Sequence, residues 1–333
     1  MSDVAPPSLE SAAPRRIDWS ALLAKLGPVA GLLFVVALFA FLKPRTFLTA
    51  DNFQIMLQQT AVVGIAALGM TLIIISGGID LSIGSNIALC TVAIALMLAH
   101  GVPPIIAALG GIAVGAGCGA LIGLLITRLH LTPFIVTLGM WGALRGAAKG
   151  LARETMVAAP QTWLNELLQN LSLDRRWMIF PPGVWLMLLL TGLTAALLRY
   201  TRFGRHIFAI GSNEQTARLC GVSIRRTKLL IYIVGLSFAG AAGVLQFSYL
   251  TVGDPTTASG LELAVIAAVV IGGASLNGGE GSVFGSLIGA LIMTVVANGC
   301  IKLDLANWVQ EIVTGGIIIA AVVLDHWRHH RPV

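Results

Sequence analysis

Two glycine-rich segments interrupt long apolar runs and carry side chains that can bind a polar solute or an ion. The first segment, residues 76–85, contains Gly77, Gly78, Asp80 and Ser82. Glycine unwinds a helix at low steric cost, and Asp80 or Ser82 can accept hydrogen bonds from the amides that begin the next helix. This pattern fits either a capped turn between two helices or a broken helix whose exposed backbone lines a translocation path or gate.

The second segment, residues 272–282, also begins with two glycines and ends in glycine and serine. Both segments follow one apolar run and lead into another, which suggests a distant internal repeat, a common plan in transporters. Local physics slightly favours the capped turn, so the pathway hypothesis rests on the family resemblance given below. The residues that it assigns to a pathway or gate are Gly77, Gly78, Asp80, Ser82, Gly272, Gly273 and Ser275.

No residue pattern in the sequence is typical of an energy-converting or catalytic site. A phosphate-binding loop needs a glycine before its lysine, and every lysine here lacks one: Lys25, Lys43, Lys149, Lys228 and Lys302. The histidines lie in predicted loops or at span ends, which does not fit an intramembrane protease. We therefore predict neither a catalytic residue, nor a metal site, nor a cofactor in this chain.

Ion-driven transport usually requires ionisable residues inside the membrane. The acidic residues nearest to the apolar runs, Asp80, Glu262 and Glu311, fall at predicted span edges, where a helix cap or an interfacial side chain is expected. This placement weakens the hypothesis of an ion-coupled carrier or channel. That hypothesis stays open, because a sodium site can be built from carbonyl and hydroxyl oxygens alone.

The composition is typical of an all-α integral membrane protein. Of 333 residues, 56% are apolar and 11% are charged, and the mean hydropathy is +0.88. The net charge of +6 is scattered between apolar runs, so a nucleic-acid partner is not expected. The cysteines show no metal-type spacing and are expected to be reduced packing residues.

Apolar stretches of about 20 residues predict about ten transmembrane helices. They are residues 26–42, 55–76, 81–100, 103–128, 132–149, 183–199, 229–249, 260–276, 281–300 and 308–325. Most of the 21 lysines and arginines then face one side, which predicts cytoplasmic termini. The predicted organisation is a cytoplasmic segment 1–25, one transmembrane domain 26–325 with an external loop 150–182 and a cytoplasmic loop 200–228, and a tail 326–333.

Two features of these segments suggest contacts. Glycines recur every fourth residue from Gly111 to Gly123 and from Gly281 to Gly289, which is typical of closely packed membrane helices. In the cytoplasmic loop, residues 213–219 form a short predicted helix with Ser212 or Asn213 as its cap and Gly221 as its end. Its mixture of apolar and charged residues favours docking to a soluble partner. In the external loop, the amphipathic piece 162–171 is expected to lie along the outer surface.

Four motifs in order resemble one family, the permease subunits of bacterial ABC importers for monosaccharides of the ribose and xylose type. They are residues 77–84, 132–140, 203–221 and 272–276, and the resemblance covers roughly residues 20–325. It implies a permease of the bacterial inner membrane that pairs with a second permease copy. It also implies two cytoplasmic ATPase subunits, which hold ATP and magnesium, and a periplasmic sugar-binding protein.

In this scheme residues 202–221 carry the coupling helices that seat in the ATPase. The residues that the resemblance assigns to coupling are Arg202, Gly204, Arg205, Asn213, Glu214, Arg218 and Gly221. Related permeases carry branched-chain amino acids, so the cargo class stays open, as does the choice between a homodimer and two different permeases. One departure is the charged group Arg145, Lys149, Arg153 and Glu154, which either lines the external mouth or is merely surface charge.

Overall fold

The structure is a computed structural model that describes residues 19–170 and 178–329. In this part of the chain, nearly all regular structure is α-helical. The helices are α1 (Trp19–Leu42), α2 (Pro44–Phe47), α3 (Ala50–Ile75), α4 (Ile83–Ala99), α5 (Pro104–Leu129), α6 (Pro133–Leu151), α7 (Pro182–Tyr200), α8 (Arg202–Ser212), α9 (Glu214–Leu219), α10 (Ile224–Leu250), α11 (Leu261–Ile271), α12 (Val283–Lys302) and α13 (Asn307–His329).

Five of these helices, α3, α5, α7, α10 and α12, are long and apolar enough to cross a membrane. Shorter apolar helical stretches are Gly27–Leu42, Ile83–Ala99, Leu261–Ile271 and Asn307–Val323. Each predicted span overlaps one helix, but α6 belongs to neither group, so the count of ten spans and the side of the termini stay predictions. Residues 1–18 and 330–333, parts of the predicted terminal segments, lie outside the described residues.

Helix α3 forms the centre of the bundle. Nearly all of its residues from Thr60 to Ile75 are buried, which is typical of a helix that is apolar on every side. The outer helices instead expose large apolar side chains, such as Phe41, Ile135, Leu189 and Ile319. Exposed apolar surface of this extent fits contact with lipid.

The glycine stripe of α5 is a packing face, as the sequence predicts. A methyl group on Gly115 would lie 3.0 Å from the Cα of Gly240, and one on Gly119 would lie 3.0 Å from the Cα of Ile233. Because both neighbours are backbone atoms of α10, the two helices approach each other more closely than larger side chains would permit.

The second glycine stripe also packs against backbone. Gly285 contacts the backbone of Gly272, and Gly289 contacts the carbonyl of Ala268 on α11. A hydrogen bond of 2.8 Å from Thr71 Oγ1 to Ser286 Oγ ties the same face of α12 to α3. The prediction of a packing face is therefore confirmed for both stripes.

The predicted external loop folds onto the end of α10. Thr162 caps a 3₁₀-helix, Trp163–Leu167, through a capping box with Asn165. The hydroxyl of Ser248 accepts a hydrogen bond from the amide of Leu168 (3.0 Å) and donates one to the carbonyl of Asn165 (3.0 Å). Leu164, Asn165 and Leu168 are buried while Trp163 is exposed, so the piece packs one face against the bundle. Its expected position along the outer surface of the membrane stays a prediction.

Beside this 3₁₀-helix, two short strands join the loop to the chain that follows α10. Strand β1 (Val157–Ala158) pairs antiparallel with β2 (Val252–Gly253). Gly253 packs against α4, where a methyl group would lie 3.0 Å from the carbonyl oxygen of Thr91. The strands therefore fix the start of the segment that leads from α10 to α11.

Candidate functional site

The two glycine-rich segments begin with the same helix end. After α3, Gly77 has φ +80°, and the amide of Gly78 bonds to the carbonyl of Ile73 at 3.0 Å. After α11, Gly273 has φ +94°, and the amide of Ala274 bonds to the carbonyl of Val269 at 3.1 Å. Both are Schellman ends, in which a glycine in the left-handed region closes the last turn. Gly77 therefore corresponds in structure to Gly273. An alignment of the two glycine pairs in the sequence would instead match Gly77 with Gly272.

The two glycine-rich segments touch each other just beyond these helix ends. The amide of Gly279 donates a hydrogen bond of 2.8 Å to the carbonyl of Ile75, the last residue of α3. A methyl group on Gly278 would lie 2.9 Å from the Cα of Gly77. Inside the second segment, the amide of Ser275 bonds to the carbonyl of Glu280 at 3.2 Å and closes the loop. We call the contact of residues 75–78 with residues 275–280 the junction.

Asp80 is fully buried just beyond the junction. Its Oδ1 accepts hydrogen bonds from the amide (2.7 Å) and the hydroxyl (2.6 Å) of Ser82, while its Oδ2 has no hydrogen-bond partner among the described residues. The prediction that Asp80 accepts an amide bond at the start of the next helix is confirmed, but Ser82 makes no side-chain cap and instead donates to Asp80. Of the two expectations for Asp80, a helix cap and an interfacial side chain, the structure supports the cap, since the side chain is fully buried within the protein.

The starts of α4 and α11 meet beside a second buried carboxylate. Gly84, in the first turn of α4, contacts Glu262 Oε2 and the carbonyl of Ala258. The amide of Gly260 donates to Glu262 Oε1 at 3.3 Å. Because a helix N-terminus carries partial positive charge, the carboxylate of Glu262 suits this position between two helix starts. Glu262 thus meets the expectation of a helix cap, because it accepts from the amide of Gly260, which precedes α11, whereas the side chain of Glu311 is exposed.

Helix α6 holds the segment that precedes α11. Trp141 Nε1 donates to Glu262 Oε1 at 3.1 Å, and one Arg145 nitrogen donates to the carbonyls of Pro255 (3.0 Å) and Thr257 (2.6 Å). Arg145 is thus a half-buried structural link and not mere surface charge. Sequence reasoning flagged Arg145 only as a departure from its family, and nothing local indicated its partners more than 100 residues away.

Helices α8 and α9 form a hairpin in the predicted cytoplasmic loop. Thr201 caps α8 by accepting from the amide of Gly204 (3.0 Å), and Asn213 Oδ1 caps α9 by accepting from the amide of Thr216 (2.8 Å). Gly221, with φ +84°, ends α9. The predicted helix, cap and stop are therefore confirmed, and we call residues 202–221 the hairpin.

The hairpin packs directly on the junction through Gly211. A methyl group there would overlap the carbonyl oxygen of Ile75, and one on Gly279 would lie 3.0 Å from the Cα of Ser212. No side chain separates the three backbones at this point. Sequence reasoning missed Gly211, because one glycine near the end of a helix carries no local sign of a distant backbone contact.

The residues predicted to act in coupling divide into two groups. Gly204 is buried and contacts the backbone of Leu197 and Leu198, so it packs α8 against α7 and does not face a partner. The remainder are exposed or partly exposed on the hairpin: Arg202, Arg205, Asn213, Glu214, Arg218 and Gly221. Sequence reasoning missed Leu219, which is the most exposed large apolar side chain described, at 88%.

Glu214 ties the hairpin to α10. Its Oε2 accepts from Lys228 Nζ at 2.6 Å, and its Oε1 pairs with Arg218 at 3.3 Å. The hydrogen bond from Lys228 is the main cause that holds the pKa of Glu214 below its ordinary value. Beside this pair, a cleft of about 610 Å³ is lined by residues 126–127, 130–133 and 223–225, and includes His130 and Arg225.

Comparison with known proteins defines the class. Residues 52–322 match the family model described as the branched-chain amino acid transport system permease component, so the chain belongs to this family. It is a multi-pass membrane protein and a permease component. No solved structure gives a significant match to the chain.

Among curated proteins, the chain is 36% identical over 312 residues to the ribose import permease of Escherichia coli K12, which covers 94% of this chain and 97% of that protein. It is 34% identical over 306 residues to the fructose import permease of Rhizobium meliloti, covering 90% and 84%. It is 33% identical over 303 residues to the D-allose permease of E. coli K12, covering 90% and 91%. The predicted resemblance to monosaccharide importer permeases is confirmed.

Proposed function

We propose that this chain is the membrane-spanning permease subunit of an ATP-binding cassette importer for a monosaccharide. In this proposal a periplasmic binding protein delivers the sugar and separate ATPase subunits, which hold ATP and magnesium, supply the energy. The observation that carries the proposal is the backbone contact of the hairpin with the junction at Gly211, Ile75 and Gly279. A force applied to the hairpin reaches the end of α3 and the loop between α11 and α12 without passing through a flexible side chain.

The hairpin has the properties of a docking element. Its inner face is fixed by buried Ile207, Ile210 and Ala217, and its ends are capped. Its outer face presents arginines beside the exposed Leu219, and an exposed apolar side chain among charges is typical of a contact surface. We assign this face to the ATPase.

Charge supports a cytoplasmic location for the hairpin. Basic residues collect at the same end of the bundle, and positive charge near span ends favours the cytoplasmic side. These residues are Arg128, Arg199, Arg202, Arg205, Arg218, Arg225, Arg226 and Lys228. We therefore propose ten spans in the bacterial inner membrane with both termini cytoplasmic, surrounded by lipid and paired with a second permease copy.

A monosaccharide is the cargo class that the relatives support, since those compared carry ribose, fructose and allose in their names. The family description names branched-chain amino acids instead, so leucine is the competing cargo.

One observation supports a second candidate function, ion-coupled transport. Asp80 and Glu262 are both buried and each keeps one oxygen without a partner among the described residues, which is the kind of group that such carriers use.

Reconstitution tests these alternatives. The complete complex is placed in proteoliposomes with its binding protein, and uptake of D-ribose, D-fructose, D-allose and L-leucine is measured with and without ATP. We expect ATP-dependent uptake of at least one sugar. Uptake of leucine alone, or of a sugar by the permease without ATP and with an ion gradient, would contradict the proposal.

The same system tests the docking face. Leu219→Asp places a charge where the proposal needs an apolar contact, and its side chain makes few contacts within the chain, so folding should persist. We expect weaker ATPase association and lower ATP-driven uptake. Gln161→Asp, an exposed position at the opposite end of the bundle, is the matched control and should leave both unchanged.

A further inference from the structure

A cleft of about 670 Å³ opens on the half of the bundle away from the hairpin. Helices α3, α10, α11, α12 and α13 and residues 258–260 line it. It lies toward the ends of α10 and α12 that are remote from α8, because it includes Tyr249 and Ile301. Its size falls within the range of about 300–1,000 Å³ that is typical of small-molecule sites.

The polar lining of this cleft is almost entirely uncharged. Amide and hydroxyl groups come from different elements, including Gln59 on α3, Gln246 on α10, Ser259 before α11 and Gln310 on α13. Glu311 is the one charged group among the described residues that line the cleft, and no arginine, lysine or histidine accompanies it. Neutral donors and acceptors match the hydroxyls of a sugar, whereas the carboxylate of a free amino acid would lack a cationic partner.

Several of these polar groups are held in place by the protein. Gln246 Nε2 donates to Thr257 Oγ1 at 2.7 Å, Gln310 Nε2 donates to the carbonyl of Leu305 at 2.9 Å, and Thr294 Oγ1 donates to the carbonyl of Ala290 at 2.8 Å. In each bond the protein uses a donor, so the oxygen of the same group remains an acceptor for a sugar hydroxyl. Groups fixed before binding lose little conformational freedom when the ligand arrives.

The segment 254–262, of which residues 258–261 line the cleft, is tied to the helices beside it. On the cleft side, the hydroxyl of Thr257 accepts from Gln246. On the opposite side, the carbonyl of Thr257 accepts from Arg145 at 2.6 Å, and Trp141 holds Glu262 at 3.1 Å. Thr257 thus links Gln246 in the cleft to Arg145 on α6, through its hydroxyl oxygen and its carbonyl oxygen.

We propose that this cleft is a subsite where the permease binds the neutral monosaccharide during transfer, through Gln59, Gln246, Ser259 and Gln310. This inference rests on the proposed function and adds the place and chemistry of recognition. It is separate from the junction, which lies at the other end of the bundle and receives the force from the ATPase.

Transport by the full reconstituted complex with ATP and binding protein tests the subsite, with D-ribose, D-fructose and D-allose as probes. We expect Gln59→Leu and Gln246→Leu each to lower sugar uptake per ATP hydrolysed about tenfold, since each removes a hydrogen-bonding group that the sugar would otherwise use. The matched control is Gln54→Leu, which lies on the same helix and lines no cleft described above.

Labelling of a cysteine gives a second readout that does not depend on the leucine variants folding. In a Cys220→Ser background, Ser259→Cys should react with an impermeant maleimide, and the transported sugar should slow this reaction in the assembled complex. Gln161→Cys, exposed outside the cleft, should show no protection.

The outcomes separate the two proposals. If the unaltered complex takes up none of the three sugars with ATP, the proposed function fails and the subsite fails with it. If the unaltered complex is active while both leucine variants retain full uptake, or while sugar gives Ser259→Cys no protection, the subsite alone is overturned.

Discussion

The amide of Gly279 donates a hydrogen bond of 2.8 Å to the carbonyl of Ile75, which joins the end of α3 to the loop between α11 and α12, about 200 residues further along the chain. Gly211 contacts the same carbonyl, so α3, the loop between α11 and α12, and the hairpin meet at one backbone atom. A carbonyl at a helix C-terminus has no partner within its own helix and accepts from outside it. The contact therefore gives the last carbonyl of α3 a hydrogen-bond partner. It also connects α3 to the hairpin and to the second glycine-rich segment.

We expect Gly211→Ala to uncouple transport from ATP hydrolysis. The added methyl group would occupy the position of the Ile75 carbonyl, and overpacking of this kind costs about 1–3 kcal/mol, so α8 must shift away from the junction. The ratio of sugar taken up to ATP hydrolysed should fall in reconstituted complex. Gly192→Ala, whose methyl group meets no atom within 4 Å, is the control, and an equal ratio in both variants would refute the prediction.

We expect Gly119→Val to destabilise the bundle while Gly117→Val does not. Position 119 faces the backbone of Tyr232 and Ile233 on α10, whereas position 117 on the same helix faces open space. Separation of α5 from α10 should cost about 1–3 kcal/mol and lower the thermal unfolding midpoint in detergent. Similar midpoints for the two variants would show that α5 and α10 are not packed as described.

We expect Asp80→Ala to destabilise the protein more than Asp80→Asn. Alanine leaves both Ser82 donors without an acceptor in a buried site, and each buried unsatisfied group costs about 1–3 kcal/mol. Asparagine keeps an oxygen that can accept both bonds. The measurement is thermal unfolding of the purified permease, and an asparagine variant no more stable than the alanine variant would contradict this account of the carboxylate.

The ion pair of Glu214 predicts a pH dependence of the hairpin. Because Lys228 lowers the pKa of Glu214, the stabilisation is fully present above the ordinary glutamate pKa of about 4.3 and is lost as pH falls through the lowered value. A spin label on the exposed Cys220 should become more mobile over that acidic range. Glu214→Gln should show the mobile spectrum at neutral pH, with little further change on acidification.

Lys228→Gln provides the matching control, because it removes the other partner of the pair. It should reproduce the behaviour of Glu214→Gln. A rigid spectrum at neutral pH in both variants would mean that the buried Ile210 and Ala217 alone hold the hairpin.

The sequence by itself determined the local structure. Proline at helix starts, glycine at helix ends and the caps Thr201 and Asn213 act within a few residues, so their effects can be predicted from composition and spacing. For the same reason, the predicted spans overlap helices, the hairpin ends at Gly221, and the glycine stripes are packing faces. The family resemblance also came from short local motifs.

Only the tertiary structure decided which helices meet. An apolar run is compatible with burial in lipid or in protein, so the sequence could not tell that α3 is central or that Asp80 and Glu262 are enclosed. The contact of Gly211 with Ile75 and the bond from Arg145 to Thr257 join positions far apart in the chain. Such pairs depend on the packing of every helix between them, and no local pattern of residues records that packing.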